Sequence, residues 1–211
     1  MQLEFPAIHL HSSEWAKLEP SIFNRSTDGS PSDFLTHVKL MADDQYLHVK
    51  FECERDLFVA ENYLTQHNDP LYNQEVFEIF IAAGESAPAH YLEFEINPNN
   101  AIWVGKISNP SLGEGSISAE MVGHDESGIL HSVKKGKDCW SGQFSIPWVL
   151  ISGQQRKHYR VNFYRIVSTK SQAEKDWVCG EDCEFLCWNS TLSGAVAAFH
   201  KPRRFGHLVI H

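Results

Sequence analysis

Along most of the chain apolar and polar positions alternate one by one, the pattern of a strand with one buried and one wetter face. In YLHVKFEC, Leu47, Val49, Phe51 and Cys53 fall on one side, and His48, Lys50 and Glu52 on the other. THVKLMADDQ precedes it, so Asp43, Asp44 and Gln45 predict the turn of a hairpin. EVFEIFI follows, then the turn-rich AAGESAPAH, then YLEFEINP. There Leu92, Phe94 and Ile96 face one way, and Tyr91, Glu93, Glu95 and Asn97 the other. Asn97-Pro98-Asn99-Asn100 predicts a turn, and AIWVGKI, SISAEMVG, CWSGQFSIP, YRVNFYRIV and FGHLVI predict further strands. A helical period is nearly absent, and PWVLISGQQ has room for one turn at most. The pattern predicts an all-β fold, one antiparallel β-sandwich over residues 1–211, immunoglobulin- or jelly-roll-like, with roughly nine to eleven short strands. Ser168 to Ala198 breaks the alternation before the last strand, and loops of that length in compact domains are usually functional or mobile.

Composition narrows the partners. The net charge is -9, and the only basic clusters are Lys134-Lys135-Gly136-Lys137 and Arg203-Arg204. Phosphate neutralisation needs a longer basic stripe, so nucleic acid is excluded. No run approaches the ~18 apolar residues of a membrane span. MQLEFPAIHLHSSEW lacks the charged start, apolar run and cleavage site of a secretory leader, so the chain reads as cytoplasmic or as a processed mature protein. Five cysteines, an odd number, cannot all pair within one chain and tilt that reading to the cytoplasm.

The chemistry gathers on acidic strands. Glu78 interrupts the apolar run VFEIFI, where a carboxylate must be paired, protonated or used. It shares a face with Val76 and Phe80, and a hairpin brings that face beside Glu93 and Glu95. Three readings stand. The carboxylates accept hydrogen bonds from sugar hydroxyls; or Glu78 with Glu93 or Glu95 forms a glycosidase acid/base pair; or Glu78 pairs with Arg165 in a structural or interaction sandwich. Six Trp, six Tyr and thirteen Phe suit either stacking surfaces or a β core. Tyr72, in the turn-like DPLYNQ, and Trp188, in the irregular segment, are candidate platforms. Trp140 and Trp148 sit in strand patterns and read as core, Trp15 as a lid, and Trp103 as either. Cys179, Cys183 and Cys187 are four apart, a poor zinc-knuckle spacing, and read as free thiols or one local disulfide. Twelve histidines are scattered; His9 and His11 share a strand face and are either metal-binding or a polar edge. HExxH, GxSxG and P-loop motifs are absent.

Taken in order, these segments resemble a family 9 carbohydrate-binding module. YLHVKFEC is similar to its early strand, DPLYNQEVFEIFI to its aromatic turn leading into V-E-I-F, and YLEFEINPNN to its strand and Asn-Pro turn. WSGQFSIPW, RVNFYRI, Trp188 and FHKPRRFGHLVI are similar to its later elements. The resemblance implies a non-catalytic module, of a kind appended to secreted glycoside hydrolases. Its partner would be a mono- or oligosaccharide, clamped between two aromatic planes. By position it implies Tyr72 and Trp188 as the clamp, with Tyr where the family often has Trp. It implies Glu78 as a hydrogen-bonding carboxylate helped by Glu93 or Arg165, the latter ligand-facing or structural. It implies no required cofactor, and a structural calcium for which the acidic turns at Asp43, Asp44 and Asp69 are the candidates.

Overall fold

The computed structural model describes residues 5–211, so the first four positions of the stretch read as lacking a secretory leader lie outside the described residues. The strands are β1 (Ala7–Leu10), β2 (Ala16–Lys17), β3 (Asn24–Arg25), β4 (Thr36–Ala42), β5 (Tyr46–Cys53), β6 (Val76–Ala83) and β7 (His90–Ile96). They continue as β8 (Ile102–Ser108), β9 (Ser118–Met121), β10 (Leu130–Lys135), β11 (Trp140–Pro147), β12 (His158–Ser168), β13 (Cys183–Cys187) and β14 (Gly206–Ile210). Three helical turns, α1 (His124–Ser127), α2 (Trp148–Ser152) and α3 (Cys179–Asp182), complete the regular α-structure among the described residues.

Two sheets face each other. The larger runs β1-β14-β12-β6-β7-β8-β9, with β13 on the far half of β12 and β3 on β13. The smaller runs β10-β11-β5-β4-β2. Neighbours pair antiparallel except β1 and β14, which are parallel. The strands beyond the nine to eleven expected have a physical explanation. β2 and β3 are two residues long. β10 is a largely solvated edge with no apolar face to betray it, and β13 lies inside the segment that reads as a loop.

Alternation sets the core. Val38 and Leu40 of β4, and Leu47, Val49 and Phe51 of β5, meet Phe77, Ile79 and Ile81 of β6 and Leu92, Phe94 and Ile96 of β7. Phe51 stacks on Phe77 across the gap, ring centres 4.3 Å apart, which ties the sheets at mid-strand. Each such side chain removed from water contributes on the order of 1.5–3 kcal/mol before ordering costs. The β4–β5 turn forms as expected: Asp43 Oδ1 accepts the Gln45 and Tyr46 N–H groups at 2.8 and 2.7 Å.

Arg165 lies at one end of this core with no exposed surface. Its Nε donates to Glu75 Oε1 at 3.1 Å, its Nη1 to the Leu35 and Glu54 carbonyls, and Asp56 stands 3.7 Å from Nη2. Trp140 Nε1 donates to the same Glu75 oxygen at 3.1 Å. Burial and the neighbouring Asp56 charge push Glu75 far up, while the guanidinium opposes them. A cation held by two carboxylates and two carbonyls is a structural fixture.

Candidate functional site

The larger sheet has a second face, turned away from the smaller one. On it lie Val76, Glu78 and Phe80 of β6, Tyr91, Glu93 and Glu95 of β7, Trp103 and Ile107 of β8, and Tyr164 and Ile166 of β12. The loop before β6 carries Tyr72 over this face, and the segment after β12 brings Cys179, Phe185, Phe199 and His200. Between them is a cleft of about 550 Å³, with Tyr72, Trp103, Phe199 and His200 as walls and Glu78 and Glu93 reached from inside. A larger cleft of about 780 Å³ beside it, lined by Ala82, His90, Lys106 and Arg156, has no comparable buried acid.

The cleft floor is acidic because of strand register. Glu78 pairs with Glu95, and Phe80 with Glu93; directly opposed side chains start about 4.5–5.5 Å apart at Cβ. All three carboxyls are buried, and among the described residues neither oxygen of Glu78 has a hydrogen-bond partner. Burial, then the Glu93 charge, pushes Glu78 well above the carboxylate range; burial, then Glu78 and Glu93, does the same to Glu95. Burial pushes Glu93 up to about 8. Three adjacent acids in so dry a place cannot all ionise. Near neutral pH they are largely protonated, each able to donate one hydrogen bond as well as accept.

A histidine overlooks this floor. Asn109 Nδ2 donates to the Tyr91 hydroxyl at 3.3 Å, and that hydroxyl lies 2.7 Å from His200 Nδ1. A hydroxyl already accepting from Asn109 donates to Nδ1, which leaves the His200 proton on Nε2, 3.9 Å from Glu93 Oε2. Burial lowers His200 to about 4, so the ring is neutral, and it stacks on Phe80 with ring centres 5.0 Å apart. The walls are aromatic. Tyr72 is 47% exposed, while Trp103 is 7% exposed and lies flat over Gly105. A Cβ on Gly105 would stand 2.7 Å from Trp103 Cζ3 and closer still to Cη2.

The structure thus brings Tyr72, Glu78 and Glu93 to one cleft, with Glu95 beneath. It does not bring Arg165 or Trp188 there. Arg165 pairs with Phe77 across strands, one residue out of step with Glu78, and so points into the inter-sheet core; the Glu78–Arg165 pair of the structural alternative does not form. Trp188 is corrected likewise. It is 2% exposed, its ring meets Phe163 edge-on at 5.9 Å, and its Nε1 donates to the Glu19 carbonyl at 3.2 Å. Phe185 and Cys187 of β13 face the cleft side, so Leu186 and Trp188, at the alternate positions, face the core. The cleft aromatic that reading parity would have found is Trp103. The signal was WVG, which sets a ring and a bare backbone two apart on one face.

Among the described residues, Asp43, Asp44 and Asp69 do not converge into a grouping of three metal-type side chains. Both oxygens of Asp43 are occupied, Oδ2 by His48 Nε2 at 2.8 Å; Asp44 is exposed, and Asp69 Oδ2 accepts the Gln66 N–H. Among the described residues, the grouping of three or more metal-type side chains is instead His67, His124 and His131. All five cysteines are free thiols, and His9 Nδ1 lies 2.9 Å from His211 Nε2.

No protein-family model matches the chain. A protein of Arthroderma benhamiae named as an extracellular protein is 28% identical over 184 residues, which are 82% of this chain and 78% of that one. Among solved structures, a candidate carbohydrate-binding protein of Bacteroides uniformis superposes with a TM-score of 0.67 at 11% identity, covering 99% of both chains. A family 9 carbohydrate-binding module of Caldicellulosiruptor kristjanssonii, solved with glucose, superposes with a TM-score of 0.53 at 16% identity, covering 97% of this chain and 95% of that one. The cellotriose complex of a family 9 module from the same organism gives 0.54 at 15% identity, over 97% and 93%. The chain has the β-sandwich fold of a family 9 carbohydrate-binding module.

Proposed function

We propose that the chain is a non-catalytic saccharide-binding module whose ligand enters the cleft over β6, β7 and β8. One observation carries the reading: under aromatic walls, the floor presents Glu78, whose two carboxyl oxygens have no partner among the described residues. Buried polar groups without partners are rare and costly, and a ligand rich in hydroxyls supplies what they lack. A sugar ring offers C–H faces to the Tyr72 and Trp103 rings and hydroxyls to Glu78 and Glu93. The fold neighbours crystallised with glucose and cellotriose support this class of ligand.

The acidic floor favours binding over hydrolysis. A glycosidase needs one carboxylate ionised, as nucleophile or base, while its partner is a protonated acid. Here burial raises all three acids together, and among the described residues no cation acts on them to hold one ionised. The test is calorimetric titration with glucose and cello-oligosaccharides, beside a panel of chromogenic glycosides. Saturable binding without turnover is expected, abolished in Glu78→Leu and weakened several-fold in Tyr72→Ala, whose exposed ring leaves the melting temperature unchanged. Wild-type protein that binds no saccharide at millimolar concentration, or that turns over a glycoside, refutes the proposal.

A further inference from the structure

Away from the cleft, three histidines from three separate elements converge. His67 lies in the loop after β5, His124 opens α1, and His131 is on β10. One ring nitrogen from each lies within 4.8 Å of the other two. His67 stacks on His124 with ring centres 3.8 Å apart, and His131 stands edge-on to both at 5.6 and 5.4 Å.

The outer hydrogen bonds fix which nitrogens are bare. His124 Nδ1 lies 2.9 Å from Asp125 Oδ1, and His131 Nδ1 lies 2.9 Å from Asn100 Oδ1. A carboxylate and an amide oxygen only accept, so each Nδ1 carries the proton and each Nε2 carries a lone pair. Those two Nε2 atoms face each other at 3.2 Å. Two lone pairs at that distance repel unless a proton or a metal cation lies between them. Nitrogens held about 2.0–2.1 Å from a tetrahedral zinc ion stand roughly 3.3–3.4 Å from one another, close to the spacing found. Donation of the outer N–H to a carboxylate or carbonyl is also how metal-bound histidines are oriented.

The frame is built in advance. Asn68, next to His67, donates its N–H to the Ile102 carbonyl at 2.8 Å, accepts the Val104 N–H on Oδ1 at 3.3 Å, and donates from Nδ2 to the Val122 carbonyl at 3.1 Å. Ser127 Oγ donates to the His124 carbonyl at 2.6 Å and closes the α1 turn. His131 is fixed by the β10–β11 ladder opposite Phe144. His67 Nδ1 receives the Ile102 N–H at 3.2 Å, which puts the proton of its neutral ring on Nε2; this long bond on an exposed ring is given up, or the ring turned over, when His67 offers its lone pair to a metal.

We infer that His67, His124 and His131 form a binding site for a divalent transition ion of the zinc class, with solvent supplying the remaining ligand. Imidazole nitrogen selects such ions over calcium or magnesium, which take oxygen. The site stands apart from the cleft, sharing none of its lining residues, so its failure leaves the saccharide reading untouched.

The test uses the whole chain, freed of metal with EDTA, titrated with Zn²⁺ by calorimetry and with Co²⁺ by visible absorption. One equivalent of Zn²⁺ per chain and Co²⁺ ligand-field bands are expected, both lost in His124→Ala and in His131→Ala. His9→Ala, which alters the other close histidine pair, retains the bound ion. Asn100→Gly removes only the acceptor behind His131 and keeps the left-handed backbone there (φ 62°); it is expected to weaken binding about 10–100-fold. Circular dichroism verifies that each variant is folded. Should a histidine variant unfold, Cu²⁺ broadening of ring proton signals in the wild type decides, with these three rings broadening first. No saturable binding, binding unchanged in the histidine variants, or broadening that begins at other histidines overturns the site.

Discussion

Replacing Glu93 by Gln should stabilise the protein more at pH 8 than at pH 6.5. A carboxyl that the fold keeps protonated, while it ionises in the unfolded chain, makes the folded state bind more protons. Stability then falls as pH rises from the unfolded value near 4.3 to the folded value, by a little over ~1 kcal/mol per pH unit for each such group. For Glu93 the folded value is about 8, so the descent covers pH 4.5 to 8. Burial lowers His131 and His200 to about 4, and these act in the opposite sense. The unfolded chain has lost half of their protons at pH 6.5 and nearly all by about pH 7.5, so their contribution rises with pH, is mostly present at the start of the window, and is common to wild type and variant. The window from pH 6.5 to 8 therefore isolates the acids, and over it Glu93 alone removes about 2 kcal/mol. Gln mimics the neutral acid and cannot ionise, so urea unfolding at the two pH values should show Glu93→Gln gaining about that amount on the wild type. An identical difference at both values would mean that Glu93 is already ionised in the fold, and the protonated acidic floor would be wrong.

Gly105→Ala inserts a methyl into the plane of Trp103. Overpacking of this kind costs about 1–3 kcal/mol, and titration should show saccharide binding weakened through the displaced ring. Trp188→Ala empties a core site between β12 and β14 and should cost about 3–5 kcal/mol in denaturant unfolding; near-wild-type stability would put the indole in solvent. Arg165→Met strands the Glu75 and Asp56 carboxyls and should cost a similar ~3–5 kcal/mol, since breaking a buried pair leaves an uncompensated charge. Arg165→Lys should recover little of it, because a lysine cannot reproduce the fork that serves Glu75 and two carbonyls.

Much of this was legible in the alternation. The two faces of β5, β6 and β7, the turn at Asp43, and the shared face of Glu78, Glu93 and Glu95 all follow from period two and a hairpin. Trp188 was misplaced because parity can be counted only inside a strand. β13 was hidden in a segment rich in Cys and Glu that has no clean apolar face, so nothing marked which way its aromatic pointed. Arg165 was ambiguous for a similar reason: its strand is apolar on both sides, and only the register against Phe77 tells the core face from the cleft face. The histidine site was invisible because His67 and His124 are far apart in the chain and meet only because the loop after β5 bonds to β8 and α1 packs on β8.

The segment that follows β12 has a consequence for how such a module diversifies. It is moored at both ends, by the Thr169 N–H on the Asp182 carbonyl at 2.8 Å and by the Trp188 N–H on the Phe163 carbonyl at 2.9 Å. Midway it is stitched to the Tyr72 loop through Ser171 and Gln172, which donate to Glu61. Residues 173–176 between these moorings form an exposed bend bonded mainly to itself, and Trp177 packs against the cluster beneath the cleft. Changes in length or sequence there would reshape one rim of the cleft while the sheet, its register and its acidic floor stay as they are. On the proposed saccharide reading, the sheet would grip the ligand and this rim would select it, and the two could change independently.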